Sequence, residues 1–213
     1  LRTPLNAVLG FAQLMEIDDD DPPSDGQRRR LKHIRDAGDH LLQMISELLD
    51  LTRIESGSMN LVIEPVPLRA LAQETLAMVL PQAEQAQVLM QVQVSGEPVA
   101  LADRTRLRQV LLNLLSNAIK YNRIGGQVTL LVDGDAPGPV RLQVSDTGQG
   151  IGEADLARLF EPFHRGRQAG GPIDGTGIGL SLSRSLLTMM GGRIEVTSTP
   201  GQGSVFTATL PAG

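Results

Sequence analysis

The sequence predicts two structural parts, an antiparallel helical hairpin followed by a mixed α/β domain. Apolar residues recur at helical spacing through roughly the first 56 residues. Two prolines, Pro65 and Pro67, then interrupt this pattern, and beyond them short strands alternate with helices and glycine-rich turns. We therefore expect one domain over residues 1–63 and a second over residues 64–213.

The hairpin is predicted from two helical segments and the turn between them. The first helix runs from Leu1 to about Ile17, and an acidic, proline-containing turn occupies 18–26. The second runs from Gln27 to about Ser56, with apolar residues alternating three and four apart, as in packed helix pairs. Because one hairpin buries a single seam, we expect two copies to form a four-helix bundle, and hence a homodimer. The predicted seam comprises Leu31, Ile34, Gly38, Leu41, Ile45, Leu48 and Thr52.

The second domain is predicted to begin with a stiff linker at 64–67, because its two prolines restrict the backbone and remove donors. Asp103 is a suitable N-cap for one of the helices. The glycine-rich segment 168–175 is expected to be mobile. The predicted helices are 68–86, 103–121, 154–160 and 178–190, and the predicted strands are 88–94, 127–132, 140–145, 193–197 and 204–210.

Composition excludes several functional classes. The 213 residues include 19 basic and 24 acidic side chains, and the net charge of −5 argues against a general nucleic-acid or anionic-membrane surface. The absence of cysteine excludes disulfides, thiol catalysis and thiolate metal sites. No segment has the length of a membrane span, so we expect no direct membrane contact and a cytoplasmic location.

The most informative stretch is the turn that follows the strand 140–145. It begins with Asp146 and places glycines at Gly148 and Gly150, before Ile151. Glycine permits positive φ and lets a backbone approach a ligand closely, and a carboxylate at a strand end accepts a hydrogen bond from a ligand amine. By itself the stretch is better explained as a structural turn, so the interpretation depends on two other motifs in the same domain.

The first of these motifs is a pair of asparagines in the helix that begins at Asp103. Asn113 and Asn117 are four residues apart and therefore share a face, and Lys120 lies one turn further on. Amide oxygens suit Mg²⁺, which is commonly shared between protein and phosphates, and a lysine meets phosphate as a point charge. The alternative is a pair of polar positions that cap a sheet edge.

The second motif is a glycine cluster, 175–180, that precedes a helix. Exposed N–H groups at a helix start attract phosphate, yet the spacing fits neither a P-loop nor a dinucleotide fingerprint. Phe160 and Phe163 flank the glycine-rich segment and suggest hinge anchors, although core packing explains them as well. Nearby basic residues, among them Arg165, suggest phosphate contacts or a solvated basic patch.

These residues, in this order, resemble the kinase core of the sensor histidine kinases of two-component systems. The resemblance covers essentially the whole chain and rests on several motifs. The stretch 1–6 resembles the end of the H box, 51–57 resembles the end of the dimerisation hairpin, 111–121 matches the N box, 146–151 the first glycine box, 160–163 the F box, and 175–180 the second glycine box.

The resemblance implies an α+β two-layer sandwich of the Bergerat type that binds ATP, behind a helical dimerisation and phosphotransfer domain. It implies that Asn117 coordinates Mg²⁺ and that Asp146 accepts the adenine amino group. The remaining implied ATP-binding positions are Asn113, Lys120, Tyr121, Gly148, Gly150, Ile151, Arg165, Gly175, Thr176, Gly177, Gly179 and Leu180.

The implied reaction moves the γ-phosphoryl of ATP to a histidine and then to an aspartate in the receiver domain of a response regulator. Lys120 is implied to act in catalysis, and Thr3 to orient water when the regulator is dephosphorylated. The family's histidine precedes the position of Leu1, and none of His33, His40 and His164 matches it. We therefore expect a fragment that binds ATP and Mg²⁺ but does not phosphorylate itself.

Two alternatives to this reading use the same ATP-binding fold. One is a regulatory or scaffold module that binds ATP without phosphotransfer, which the intact motifs leave open. The other is an ATPase of the gyrase, chaperone or mismatch-repair type. The helical hairpin that ends near Arg53 argues against the ATPase, as does the lack of a transducer domain after the last strand.

Overall fold

The computed structural model describes residues 2–18, 22–134, 138–164 and 176–213, with Arg2 described by its backbone alone. Its contacts divide the chain into two compact units, Leu1–Met59 and Asn60–Gly213. The predicted boundary between residues 63 and 64 lies close to this division and stays a prediction.

The first unit is a hairpin of two helices, α1 (Arg2–Glu16) and α2 (Asp25–Glu55). Ser24 starts α2 through a capping box, because its hydroxyl accepts from Gln27 N–H while the Gln27 side chain accepts from Ser24 N–H. The helices meet closely at Gly38, where an added Cβ would lie 2.5 Å from the Leu9 side chain. Glycine at this position therefore allows close packing of the two helices.

The hairpin buries only part of its apolar surface. Leu31, Gly38 and Leu51 of α2 are buried, whereas large apolar side chains on both helices are exposed. Phe11 of α1 is 69% exposed and Leu41 of α2 is 46% exposed. The exposed set comprises Val8, Phe11, Leu14, Met15, Ile34, Leu41, Leu48 and Leu49, which we call the apolar hairpin face.

The second unit contains seven strands and four helices among its described residues. The strands are β1 (Glu64–Pro67), β2 (Leu89–Val94), β3 (Val99–Ala102), β4 (Gln127–Asp133), β5 (Val140–Asp146), β6 (Arg193–Thr199) and β7 (Gly203–Leu210). The helices are α3 (Leu68–Gln85), α4 (Arg104–Lys120), α5 (Glu153–Leu156) and α6 (Gly179–Met189).

Five strands form the main sheet in the order β2-β4-β5-β7-β6, in which β2 pairs in parallel with β4 and the other neighbours pair antiparallel. Helices α3, α4 and α6 pack on one face and bury its aliphatic residues, including Leu130, Leu142 and Val144. Polar residues such as Thr129, Gln143 and Thr207 alternate with them on the other face. This helix layer on a sheet layer confirms the predicted two-layer fold.

The predicted linker at 64–67 is wrong, because these residues form β1. This strand pairs antiparallel with β3, which had not been predicted, and Val66 is buried. The other predicted elements are present with shifted ends, although α5 is shorter than the predicted helix 154–160. The N-cap prediction is confirmed, since the Asp103 carboxylate accepts from Arg106 N–H. The mobile segment predicted at 168–175 lies outside the described residues.

Two features are absent from the part of the chain that the structure describes. None of its helices is both long and apolar enough to cross a bilayer. It holds no group of three or more His, Cys, Asp or Glu side chains placed to bind a metal ion.

Candidate functional site

The turn that begins at Asp146 is built at one end of the main sheet. Asp146 is the last residue of β5 and pairs with Val128 of β4 on one side and with Ser204 of β7 on the other. Because central strands flank it on both sides, the position of its backbone is fixed by two ladders.

The carboxyl group of Asp146 is half-buried, and burial raises its pKa above the ordinary value. The backbone N–H groups of Gly148 and Ser204 act in the opposite direction and lower that pKa. The Gly148 N–H donates to Oδ1 of Asp146 at 2.8 Å. Hydrogen bonding therefore fixes one carboxyl oxygen, and the partial burial strengthens any hydrogen bond that the group accepts from a ligand.

Gly148 is required by its surroundings rather than by its own backbone torsions. An added Cβ would lie 2.3 Å from the backbone oxygen of Tyr121, at the end of α4, and 2.8 Å from Oδ1 of Asp146. The neighbouring Gln149 N–H donates to the same Tyr121 oxygen at 3.2 Å. The turn is thus packed directly against the C-terminal end of α4.

The second half of the turn is held by the connection between β6 and β7. Gly150 has φ of +68°, and an added Cβ would lie 2.1 Å from the backbone oxygen of Thr199. Ile151 N–H donates to the Ser198 hydroxyl at 2.8 Å, and Gly201 N–H donates to the Gln149 oxygen at 2.7 Å. The glycines thus allow the turn to fit between α4 and the β6–β7 connection.

The two asparagines of α4 lie on one face of the helix and contact each other. Asn117 Nδ2 lies 3.4 Å from Oδ1 of Asn113, and Asn113 Nδ2 donates to the Ser183 hydroxyl of α6 at 2.9 Å. An added Cβ at Gly179 would lie 2.3 Å from Oδ1 of Asn113. Asn113 therefore connects α4 to the first turns of α6, while within the described residues Oδ1 of Asn117 accepts no hydrogen bond.

Lys120 and Tyr121 lie at the C-terminal end of α4, beside the turn. Both residues are half-buried, and the Lys120 ammonium lies 5.5 Å from the centre of the Tyr121 ring, at cation–π distance. The end of α4 that bears this pair contacts the turn through the Tyr121 backbone oxygen.

The start of α6 contains the described part of the second glycine cluster. Thr176 accepts from Ile178 N–H through its hydroxyl at 3.0 Å. The Gly177 oxygen accepts from Phe163 N–H at 2.9 Å, and both residues have positive φ. The half-buried Leu180 lies in the first turn of α6.

Three predicted positions are not among the site residues described above. Arg165 and Gly175 lie outside the residues that the structure describes. Thr3 is exposed in the first turn of α1, within the other unit of the chain. The contacts above join the two asparagines to Gly179 and the start of α6, and they join the turn from Asp146 to Ile151 to the end of α4.

Sequence reasoning did not identify three serines that contact the predicted site residues. Ser183 binds Asn113, Ser204 lies opposite Asp146 in the sheet, and Ser198 holds Ile151. The helical position of Ser183 and the strand position of Ser204 were predicted from the sequence, whereas Ser198 lies just beyond the predicted strand 193–197. The order of the strands in the sheet could not be predicted from the sequence, because it depends on pairing between distant segments.

Two protein families match this chain. Residues 1–57 match the His Kinase A (phospho-acceptor) domain, and residues 102–213 match the histidine kinase-, DNA gyrase B-, and HSP90-like ATPase family. The second match covers more than half of the chain and includes all of the α4 and glycine-turn positions described above.

Relatives of known name are similar over nearly the whole chain. The circadian input-output histidine kinase CikA of Synechococcus elongatus is 41% identical over 221 residues, which cover 99% of this chain and 28% of that protein. The non-motile and phage-resistance protein of Caulobacter vibrioides is 40% identical over 219 residues, covering 99% of this chain and 26% of that protein. The chain thus spans about a quarter of the length of these relatives.

Solved structures agree with the sequence comparisons. Full-length ShkA, crystallised in complex with AMPPNP, is 35% identical with a TM-score of 0.82, covering all of this chain and 44% of that chain. The Acinetobacter baumannii histidine kinase AdeS has a TM-score of 0.70 at 24% identity, over 99% of this chain and 95% of that chain, which supports the fold. The chain therefore belongs to the sensor histidine kinases and joins a phospho-acceptor helical domain to an ATP-binding domain.

Proposed function

We propose that the turn from Asp146 to Ile151 forms one wall of the ATP site and that Asp146 accepts the adenine amino group. The observation that carries this proposal is the half-buried Asp146 carboxyl group, one oxygen of which is held by Gly148 N–H. An amine that donates to this carboxylate meets an acceptor that is oriented in advance, so little ordering is needed on binding.

We propose that Mg²⁺ binds with ATP and that Asn117 supplies a protein oxygen to it. The donor type fits, because Oδ1 of Asn117 is a neutral amide oxygen that accepts no hydrogen bond within the described residues. Bound Mg²⁺ would neutralise phosphate charge. Asn113 positions Asn117 through their contact and joins α4 to α6 through Ser183. Lys120 would add a positive charge near the phosphates.

The reaction we propose is phosphoryl transfer from ATP to a histidine nitrogen, which yields ADP and phosphohistidine, followed by transfer to an aspartate of a response-regulator receiver domain. For a reaction of this kind the protein contributes positioning and charge neutralisation. By resemblance to the family, the accepting histidine precedes Leu1, and Thr3 orients water when the regulator is dephosphorylated. None of His33, His40 and His164 is assigned this role.

We also propose that two chains associate through the apolar hairpin face. Ile34, Leu41 and Leu48 are seven residues apart on α2 and are all exposed. A heptad stripe of this kind packs against a second helical surface, and two hairpins provide four helices for one bundle. The response regulator would dock on the helical domain, next to the phosphorylated histidine.

Phosphorylation assays on two lengths of chain test the proposed reaction. We expect the 213-residue chain to bind ATP–Mg²⁺ without incorporating phosphate, and a chain that includes the preceding histidine to incorporate acid-labile, base-stable phosphate from γ-labelled ATP. Replacing that histidine by glutamine should abolish incorporation. Phosphohistidine formed by the 213-residue chain itself, or ATP binding without transfer in the longer chain, would contradict the proposed reaction.

A further inference from the structure

A row of polar side chains crosses the main sheet at the end where Asp146 lies. Asp146 of β5 pairs with Ser204 of β7, and Ser204 pairs in turn with Ser198 of β6. Ser204 is buried and Ser198 is half-buried. The row therefore connects the edge strand of the sheet to the residue proposed to read the base.

The Ser198 hydroxyl has three polar neighbours. It accepts from Ile151 N–H at 2.8 Å, it donates to the Gly203 oxygen at 2.8 Å, and it lies 2.9 Å from the Ser204 hydroxyl. A hydroxyl has one proton and two acceptor lone pairs. Since its proton goes to the Gly203 carbonyl, Ser204 must donate to Ser198. The hydrogen-bonding capacity of Ser198 is then fully used.

This arrangement has two consequences for the Asp146 turn. Ile151, which ends the turn, is fixed to β6 by a side chain rather than by the strand ladder. The Ser204 hydroxyl gives its proton to Ser198 and therefore presents only acceptor lone pairs to its other neighbours. Together with the Asp146 carboxylate, it makes this end of the sheet rich in acceptors, which favours a ligand group that donates.

We propose that Ser198 is a positioning residue for base recognition. By holding Ile151 and orienting the Ser204 hydroxyl, Ser198 makes the Asp146 turn select a purine with an amino group over one with a carbonyl group at the same ring position. This inference rests on the proposed function, in which Asp146 accepts the adenine amino group. A purely structural Ser198 would stabilise the β6–β7 connection through Gly203 without affecting that selection.

The two roles are separated by comparing ATP with inosine triphosphate, which has a carbonyl in place of the adenine amino group. A loss of folded protein lowers the binding-competent fraction equally for both nucleotides, whereas a misplaced turn changes the ratio of their dissociation constants. The variants are Ser198→Ala, Ser198→Thr, which keeps the hydroxyl, and the control Ser145→Ala. Ser145 precedes Asp146 on β5 and lies on the opposite face of the sheet.

We expect Ser198→Ala to reduce the preference for ATP over inosine triphosphate by about three- to tenfold, the effect of losing a partly buried hydrogen bond. Ser198→Thr should restore most of the preference, and Ser145→Ala should leave it unchanged. An unchanged ratio in Ser198→Ala, beside a wild-type chain that prefers ATP, overturns the role of Ser198 alone. If the wild-type chain shows no preference, base reading by Asp146 fails, and the role of Ser198 fails with it.

Hydrogen exchange of the Ile151 amide provides a test that does not depend on the folding of a variant. In the unliganded wild-type chain we expect this amide to be protected well beyond an exposed turn amide, because it donates to the Ser198 hydroxyl. Exchange as fast as that of an unstructured peptide amide would show that Ser198 does not hold the turn, and would overturn the proposal.

Discussion

The hairpin and the ATP-binding domain bury their apolar side chains in different ways. In the ATP-binding domain, α4 buries Leu107, Leu111 and Leu115 completely against its own sheet and neighbouring helices. In the hairpin, Phe11 and Leu41 stay exposed although both helices are amphipathic. A two-helix hairpin has one internal seam, whereas a sheet covered by helices encloses a core within one chain.

This difference matches the division of tasks that we propose for the chain. A nucleotide site needs fixed geometry, and Asp146, Gly148 and Ser198 are held by strands whose packing does not require a second chain. The proposed assembly surface needs apolar residues that remain available, and those of the apolar hairpin face are exposed. The predictions below test this division, beginning with the largest expected effect.

Leu41→Asp should break the assembly while ATP binding is retained. A charge in the centre of an apolar interface is desolvated without a partner, so we expect the dimer dissociation constant to rise about 100-fold or more. Sedimentation equilibrium measures this change. Lys32→Asp is the matched control because, at about 100° per residue, Lys32 lies on the opposite side of α2. A dimer of unchanged strength in Leu41→Asp would remove the apolar hairpin face from the interface.

Gly148→Ala should damage the nucleotide site and leave assembly intact. The added Cβ would meet the Tyr121 oxygen at 2.3 Å, so the turn or the end of α4 must shift. We expect ATP affinity to fall by about 10- to 100-fold in calorimetric titrations. Gly152→Ala is the control, since an added Cβ there has no neighbour within 4 Å and its φ is −74°. Equal ATP affinity in the two variants would show that the turn does not shape the site.

Asn117→Asp should weaken ATP binding more moderately. The substitution keeps an oxygen ligand but adds a negative charge beside the phosphates, so we expect ATP affinity to fall by about three- to tenfold. Gln91→Glu adds the same charge on the exposed face of β2 and controls for the change in net charge. Unchanged affinity in the Asn117 variant by calorimetry would remove this residue from the metal site.

Asp146→Asn should stabilise the fold slightly while it impairs base recognition. Burial raises the pKa of Asp146, so the ionised group destabilises the folded state at neutral pH, and asparagine keeps an acceptor for Gly148 N–H. We expect the Tm at pH 7 to rise by about 1–3 °C.

The pH dependence of that effect follows from the direction of the pKa shift. As pH falls through the raised pKa, Asp146 of the wild-type chain is protonated in the folded state before it is in the unfolded chain. The wild-type protein therefore regains the stability that ionisation removes at neutral pH, and the difference in Tm between the two proteins narrows. A variant that is less stable than wild type at pH 7 would show that hydrogen bonding outweighs desolvation at Asp146.

Sequence patterns predicted most elements of the fold, and the exceptions have a physical cause. Helical and alternating periodicities are local, and they located both hairpin helices and the five strands of the main sheet. The stretch at 64–67 was misread because prolines argue against a central strand, yet β1 is an edge strand, where missing donors are tolerated. The short β3 lacks a strong alternating pattern and is recognisable only through its pairing with β1.

The residues of the candidate site were also predicted only in part, because local motifs are visible in the sequence and contacts between distant strands are not. Asp146, the glycines and the α4 asparagines occur in compact motifs, so their residue types and spacing are visible in the sequence. Ser198 and Ser204 meet the turn because β7 pairs with both β5 and β6, and the partners Asp146 and Ser204 are 58 residues apart in sequence. Serine and threonine are common in strands, so the sequence did not indicate that these two hydroxyls contact the turn.

Calorimetric titration of ATP–Mg²⁺ into residues 60–213 and into the whole 213-residue chain tests most directly whether the ATP-binding domain contains its site by itself. We expect one ATP per chain in both proteins, with dissociation constants that agree within about twofold, because the turn, α4 and the β6–β7 connection all belong to this unit. Loss of binding in residues 60–213, with the domain still folded by circular dichroism, would contradict the division between a self-contained nucleotide site and a hairpin for assembly.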